Sequence, residues 1–437
     1  MGLVNSSSKP LAANFGEEEA VGRRGPTLGS VLIEGNEAGT YKLVVVTPLK
    51  IQVYDAHTAK LLELQDSVTS ALRTHLPMTS FSLEADSSSS SRRMAVGCQD
   101  GAVLIFSLEG GGVHPRRQLQ IEEEEDLSGK KPGPLARSVL ALHLHKDYLF
   151  AGTSSRCLCW NLADGDLRRE FHLPSSDQPV AASSLVVVPQ DSGLQLWTGL
   201  DVGSVAVFEL ETGMLVRSLP CGEEMVVALA FCEKTSAVFA LSAHKRVTIW
   251  DTDSFSCLQK YPAELMTCGA DLSAMGAFDI PSISMSLLVL AGVDGSLCLR
   301  RITRREDRKL NCILLWYLGA ETGCPATALD FHKASETILL GDAGCRVQLH
   351  CIKEQVSGAD AIPPRKVTNQ PNEESEGPES TTIDIGEDVG EPPLPAPENP
   401  PSPSQVSPSA TDAQKEASAG YSASDAAAFP VFNGENV

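Results

Sequence analysis

Two places along the 437-residue chain put residues capable of chemistry close together. His143 and His145, in Leu-His-Leu-His, lie two residues apart and so share one face of an extended strand. Two imidazoles on one face could begin a metal site, but zinc takes three or four ligands, and no third is signalled nearby. Cys157 and Cys159 also share a strand face, yet their spacing is not the two-residue gap of a zinc knuckle or redox pair. In Arg-Cys-Leu-Cys-Trp such thiols behave as small hydrophobes. The chain holds no Gly-x-Ser-x-Gly, no His-Glu-x-x-His and no Gly-x-x-x-x-Gly-Lys-Ser/Thr. The sequence therefore predicts no catalytic residue, no metal and no cofactor, and reads as a non-enzyme.

Charge is more informative. Arg300, Arg301, Arg304 and Arg305, with Lys309, form the one dense basic cluster in a chain of net charge −21. They could serve as an ordinary solvated loop, or as a contact for an acidic partner or anionic lipid headgroups, at about 1 kcal/mol per basic residue near a charged membrane. Glu122 to Asp126 is an acidic run of opposite sign. The overall charge argues against nucleic-acid binding, which needs a basic surface. Gly2 follows the first Met, with Ser6 and Lys9 behind it, the pattern of an N-myristoylation signal. One myristate gives only a weak, reversible tether, of order 10⁴ M⁻¹. No Cys precedes Cys98 to add a palmitoyl chain.

These groups must be positioned by something, and the text between Thr27 and Glu354 supplies it by repetition. Seven units carry an apolar strand ending in a small residue, a tight turn, and a second strand ending in an aromatic or polar pair. The small residues are Thr47, Gly97, Gly152, Gly199, Ser242, Gly292 and Gly341, a period of about 40 to 55 residues. Asp100-Gly101 and Asp294-Gly295 supply the positive φ of hairpin turns, and Asp164-Gly165 and Thr212-Gly213 do so for the next turn. A further apolar strand precedes most units, as in MTSFSLEA, ASSLVVVP and ATALDFHK. Four strands in each of seven units predict an all-β chain folded as a single seven-bladed β-propeller. The fourth strand of the last unit is the weak point. Arg365 to Gln370 or part of residues 10 to 27 could provide it.

Trp250-Asp251, Trp160-Asn161 and Tyr54-Asp55 resemble the end-of-strand dipeptide of WD40 repeats, and Asp100-Gly101 and Asp294-Gly295 match that family's turn. The resemblance spans about three quarters of the chain and implies a protein-binding propeller. It lacks the family's Gly-His dipeptide, so the family's Asp–His–Ser/Thr–Trp network is expected to be absent from nearly every blade. Propellers that serve cullin ubiquitin ligases usually carry Trp-Asp-x-Arg; here Asp253 stands in the Arg position. Leu299-Arg300-Arg301-Ile302 is distantly similar to the Phe-Arg-Arg-Gly signature of phosphoinositide-binding propellers, with Phe and Gly replaced.

Residues 356–437 carry 14 acidic residues against 3 basic ones, about half the net charge. Rich in Pro, Ser and Glu, they cannot bury enough surface to offset chain entropy and are expected to be disordered. Pro392, Pro393, Leu394 and Pro395 form a WW-type ligand motif, and Ser402 and Ser407 precede prolines as in proline-directed phosphorylation sites. The expected organisation is a flexible leader over 1–27, the propeller over 28–355 and an acidic tail over 356–437. The twelve Cys, mostly single within apolar stretches, indicate a reducing compartment, cytoplasm or nucleus. The leading reading is a scaffold that binds other proteins through propeller rims and tail motifs, weakly held at a membrane if Gly2 is acylated. The alternatives are a ligase substrate receptor and a lipid-headgroup-binding propeller in membrane traffic.

Overall fold

The computed structural model describes residues 26–352, apart from 36, 38, 85–91, 123–136, 175–179, 244–245, 263–265, 267–270, 307–308 and 320–322. Seven antiparallel sheets, each a meander of consecutive strands, form a seven-bladed β-propeller. Blade 1 comprises Gly29–Glu34, Tyr41–Val46, Ile51–Asp55 and Leu61–Leu62; blade 2, Met78–Leu83, Arg92–Cys98, Ala102–Glu109 and Gly112–Gln120. Blade 3 comprises Ala141–His145, Tyr148–Gly152, Arg156–Asn161 and Leu167–His172; blade 4, Ala182–Gln190, Gly193–Leu200, Ser204–Glu209 and Leu215–Pro220. Blade 5 comprises Val226–Cys232, Ala237–Ser242, Arg246–Asp251 and Cys257–Pro262; blade 6, Leu272–Ile280, Met285–Gly292, Leu297–Arg304 and Leu310–Leu318. Blade 7 has three strands among the described residues: Ala326–His332, Thr337–Asp342 and Val347–Cys351.

The middle strands read as apolar runs because each sheet is covered on both faces. In Tyr41–Val46, Val44 and Val46 enter the core shared with blade 2, whereas Leu43 and Val45 enter the core shared with blade 7. Successive residues of one strand thus feed different cores, as the period of two demands. Seven such cores lie one between each pair of neighbouring blades, so stability is spread around the ring. The outermost strand of blade 3, LRREFH, has no such cover and is correspondingly polar.

The first strands adjoin one another around the centre, blade 7 beside blade 1. Ring closure is made there. Thr27 N donates to Asp342 O at 3.1 Å, and Ser30 N donates to the Asp330 carboxylate at 2.9 Å. Of the segments expected to complete blade 7, Arg365–Gln370 lies outside the described residues. Within 10–27 only Pro26 and Thr27 are described, and Thr27 sits at the inner seam rather than on the rim.

The glycine turns behave as their sequence implies: Gly101 and Gly295 have φ of +85° and +81°. The column of small residues has a tertiary cause. A Cβ on Gly97 would lie 2.4 Å from Val139 of blade 3, and one on Gly341 2.6 Å from Thr27. A helix, Asp66–Arg73, which the sequence reading did not anticipate, fills the link between blades 1 and 2 and buries Val68 and Leu72 there. Among the described residues no helix is long and apolar enough to cross a membrane.

Candidate functional site

In an antiparallel meander, the first-to-second and third-to-fourth turns share one end of the ring. The second-to-third turns and interblade links share the other. The strand-ending dipeptides control the first end. Asp55 Oδ1 accepts from Thr58 N at 2.7 Å, Asn161 Oδ1 from Ala163 N at 2.8 Å and Asp251 Oδ1 from Ser254 N at 2.9 Å. Each side chain closes its own turn, as Asx residues do. Four residues on, the backbone N–H of Ala59, Gly165 or Phe255 returns to the carbonyl of Asp55, Asn161 or Asp251, and all three have positive φ. Trp160 and Trp250 beside these acceptors are buried. Asp294 acts similarly at the other end, accepting from Ser296 N at 2.9 Å, and Asp100 Oδ1 accepts from Ala102 N at 3.1 Å.

Asp100 does more. His75 Nδ1 lies 2.7 Å from Asp100 Oδ2. His75 follows Thr74 in a longer link rather than a Gly, so no Gly-His dipeptide marks it in the sequence. The turn Asp twenty-five residues downstream was the available signal.

The arginine run is divided by its strand. Arg300 is buried, its guanidinium donating to Met266 O at 2.7 Å and Cys312 O at 2.9 Å. Arg304 donates to Thr235 O at 2.8 Å and pairs with Asp251, tying blade 6 to blade 5. Burial pushes the Asp251 carboxyl up, but hydrogen bonds from Ser254 and the Arg304 guanidinium outweigh it and hold it below the usual carboxylate range. Arg301 is exposed, and its guanidinium forms no hydrogen bond or ion pair with the described residues. Arg305 is exposed in the turn that follows, its N–H donating to Lys309 O. Beside them a cleft of about 230 Å³ opens between blades 5 and 6, lined by Lys234, Arg301, Arg304, Thr303, Ser284 and Ile283, among others.

A second cavity, of about 210 Å³, lies among first strands and is lined by Phe81, Met275, Thr327 and Asp330. Burial pushes the Asp330 carboxyl up to about 6, although Ser30 N–H and Arg92 favour its charged form. His143 and His145 stack with ring centroids 6.4 Å apart. Burial, with His145 beside it, pushes His143 down to about 3. Among the described residues no group of three or more His, Cys, Asp or Glu is placed to hold a metal ion. Cys157 and Cys159 belong to the core between blades 3 and 4, where burial pushes both thiols up to about 12.

Large apolar side chains stand exposed at both ends. Leu49 (49%) and Leu76 (40%) flank the Met78 N–H···O=C Pro48 bond that joins the blade 1 turn to blade 2. At the other end Met214 (67%) leads into the exposed Leu215 and Val216 of blade 4. There the turn is fixed by Arg169 of blade 3, whose guanidinium donates to Glu211 O. Gly2, Pro392, Pro393, Leu394, Pro395, Ser402 and Ser407 lie outside the described residues, as does the acidic run beyond Glu122.

No protein-family model matches the chain, and no curated protein does. Among solved structures, the computationally designed Ika8 protein is similar over 75% of this chain and 96% of its own. The identity is 16% and the TM-score 0.46.

Proposed function

We propose that this protein is a non-catalytic docking platform of the WD40 type, which binds other proteins through the turns at the two ends of its ring. The observation that supports this most is the pairing of rigid turns with exposed apolar side chains. Met214 stands 67% exposed on a turn held by Arg169 of the neighbouring blade. An apolar side chain presented on a fixed frame loses little entropy on binding, which favours it as an interface anchor. The divergent dipeptides Trp250-Asp251, Trp160-Asn161 and Tyr54-Asp55, and the blade 2 pair His75–Asp100, favour WD40-type repeats.

Affinity capture with the full chain tests the platform. Replacing Met214 and Leu215 by Ser is expected to release at least one captured protein without shifting the thermal midpoint. Turnover of a substrate by the purified protein, with no protein captured, would defeat the reading. Acylation of Gly2 is the proposed weak tether, and an intact mass that lacks a myristoyl group in the native cell would remove it.

A further inference from the structure

We propose that the cavity at the centre of the ring receives a basic side chain, lysine or arginine, of a partner protein, with the Asp330 carboxylate as its counter-ion and Phe81, Met275 and Leu329 packing its aliphatic stem. This rests on the docking-platform reading and names the partner chemistry and the place.

The wall of this cavity, of about 210 Å³, is drawn from five blades: Leu28 leads into blade 1, Phe81 belongs to blade 2, Val227 to blade 5, Met275 to blade 6, and Thr327 to Asp330 to blade 7. It therefore lies on the axis, inside the first strands. Each first strand pairs only with the second strand of its own blade, so its other edge faces that axis. Ser30 N–H stands on such an edge and donates to Asp330 Oδ2 at 2.9 Å, which places the carboxylate at the axis as well. Among the described residues Asp330 Oδ1 accepts no hydrogen bond, and Asp330 joins no ion pair. The mouth is at the interblade-link end, where Thr327 is exposed. Asp330 is half-buried three residues further in, about 10 Å along the strand. A long side chain spans that depth.

Charge complementarity selects the occupant. Asp330 is the one ionisable group among the described residues that line the cavity. Burial pushes its carboxyl up to about 6, as happens to a carboxylate short of counter-charge. A cation beside it restores what burial removed, and the apolar wall screens the attraction little. Phe81, Met275 and Leu329 offer the kind of surface along which the methylene stem of Lys or Arg packs. Carbonyl groups on the axis-facing strand edges add acceptors for the remaining N–H donors. A calcium ion fits less well, since it takes about six to eight oxygen ligands and the wall brings one carboxylate. On a chain of net charge −21, a basic partner is also drawn from a distance.

The test pans a random peptide display library on the full chain and measures the selected peptides by fluorescence anisotropy. The expected result is a Lys or Arg that every tight peptide requires, with binding lost when norleucine replaces it. Affinity should fall at least tenfold in Asp330→Asn, which keeps an acceptor for Ser30 N–H, and in Val227→Trp, which narrows the mouth and leaves the carboxylate. It should not change in Asp191→Asn, a matched charge change on an exposed turn of blade 4. A thermal melt checks that each variant is folded, and the norleucine peptides need no variant. Selected peptides that bind without a basic residue, or equal binding by Asp330→Asn, would overturn the proposal. So would Asp330-dependent binding of spermidine without peptide binding. If Asp330→Asn captures every protein that the unaltered chain captures, the platform stands and the cavity proposal falls. If neither captures any, the platform itself falls.

Discussion

Thr327 Oγ1 donates a 2.8 Å hydrogen bond to the carbonyl oxygen of Thr27, 300 residues away. A bulge between Ala326 and Ala328 turns Thr327 out of its own sheet. The same device joins other blades: Thr79 bonds Val139 O, and Ser183 bonds Val226 O, each at 2.6 Å. The seam between the two ends of the propeller is therefore sealed by the contact that links blades elsewhere. It is also the thinnest core, with six buried residues among those described, against seventeen between blades 1 and 2. Thr327→Val should cost about 1 kcal/mol, because it leaves the Thr27 carbonyl short of a partner. Urea denaturation measures the cost. Hydrogen exchange should show blades 1 and 7 opening before the rest, and exchange that begins in blade 4 would contradict this.

The small-residue column makes a sharper demand. Gly341→Val puts branched carbon where Thr27 Cγ2 and Cβ already lie 2.6 and 2.7 Å from a Cβ position. Overpacking of this kind costs about 1–3 kcal/mol, and here it presses on the seam. Gly319→Ala, with nothing within 4 Å of its Cβ position, is the control. A thermal midpoint lowered only in Gly341→Val is the expected outcome.

Asp251 caps its turn with one oxygen and holds Arg304 of blade 6 with the other. Asp251→Ala removes both functions and should cost about 2–3 kcal/mol. Asp251→Asn keeps an acceptor for Ser254 and should cost about half as much. Asp55→Ala, which loses only a turn cap, should cost about 1 kcal/mol. If Asp251→Ala and Asp55→Ala are equal, the Arg304 pair contributes nothing.

Acid should destabilise the fold well before ordinary carboxylates titrate. Burial, with His145 beside it, holds His143 down to about 3. Burial, with Arg92 nearby, takes His332 to about 4, and burial alone takes His350 to about 4. As pH falls below 6.5, the unfolded chain protonates these imidazoles while the folded chain does not, so stability is lost between 6.5 and about 4. Asp330 works the other way: raised to about 6 from 3.8, it takes its proton in the fold first and adds stability as pH falls through that window. Three imidazoles outweigh one carboxyl. Urea midpoints should therefore drop from about pH 7 to pH 4, less steeply in His143→Gln.

By itself the sequence determined the local grammar: seven units, the turns at Asp100-Gly101 and Asp294-Gly295, and the column running from Thr47 to Gly341. The units and turns are set by backbone conformation within a few residues, where alternation and positive φ leave a direct trace, and the column shows in the text only as a recurring small residue. The same locality made Arg300, Arg301, Arg304 and Arg305 look like one cluster. Tertiary structure divided them, because neighbouring positions on a strand point to opposite faces: Arg300 and Arg304 share the face toward blade 5 and meet Met266 O and Asp251, whereas Arg301, on the other face, meets no partner among the described residues. It also gave His75 its Asp100, gave Gly341 the neighbour that keeps it small, and closed the ring at Thr27. Those partners lie from tens to hundreds of residues apart. Only closing the chain on itself could select them, since a contact across the ring leaves no period in the text.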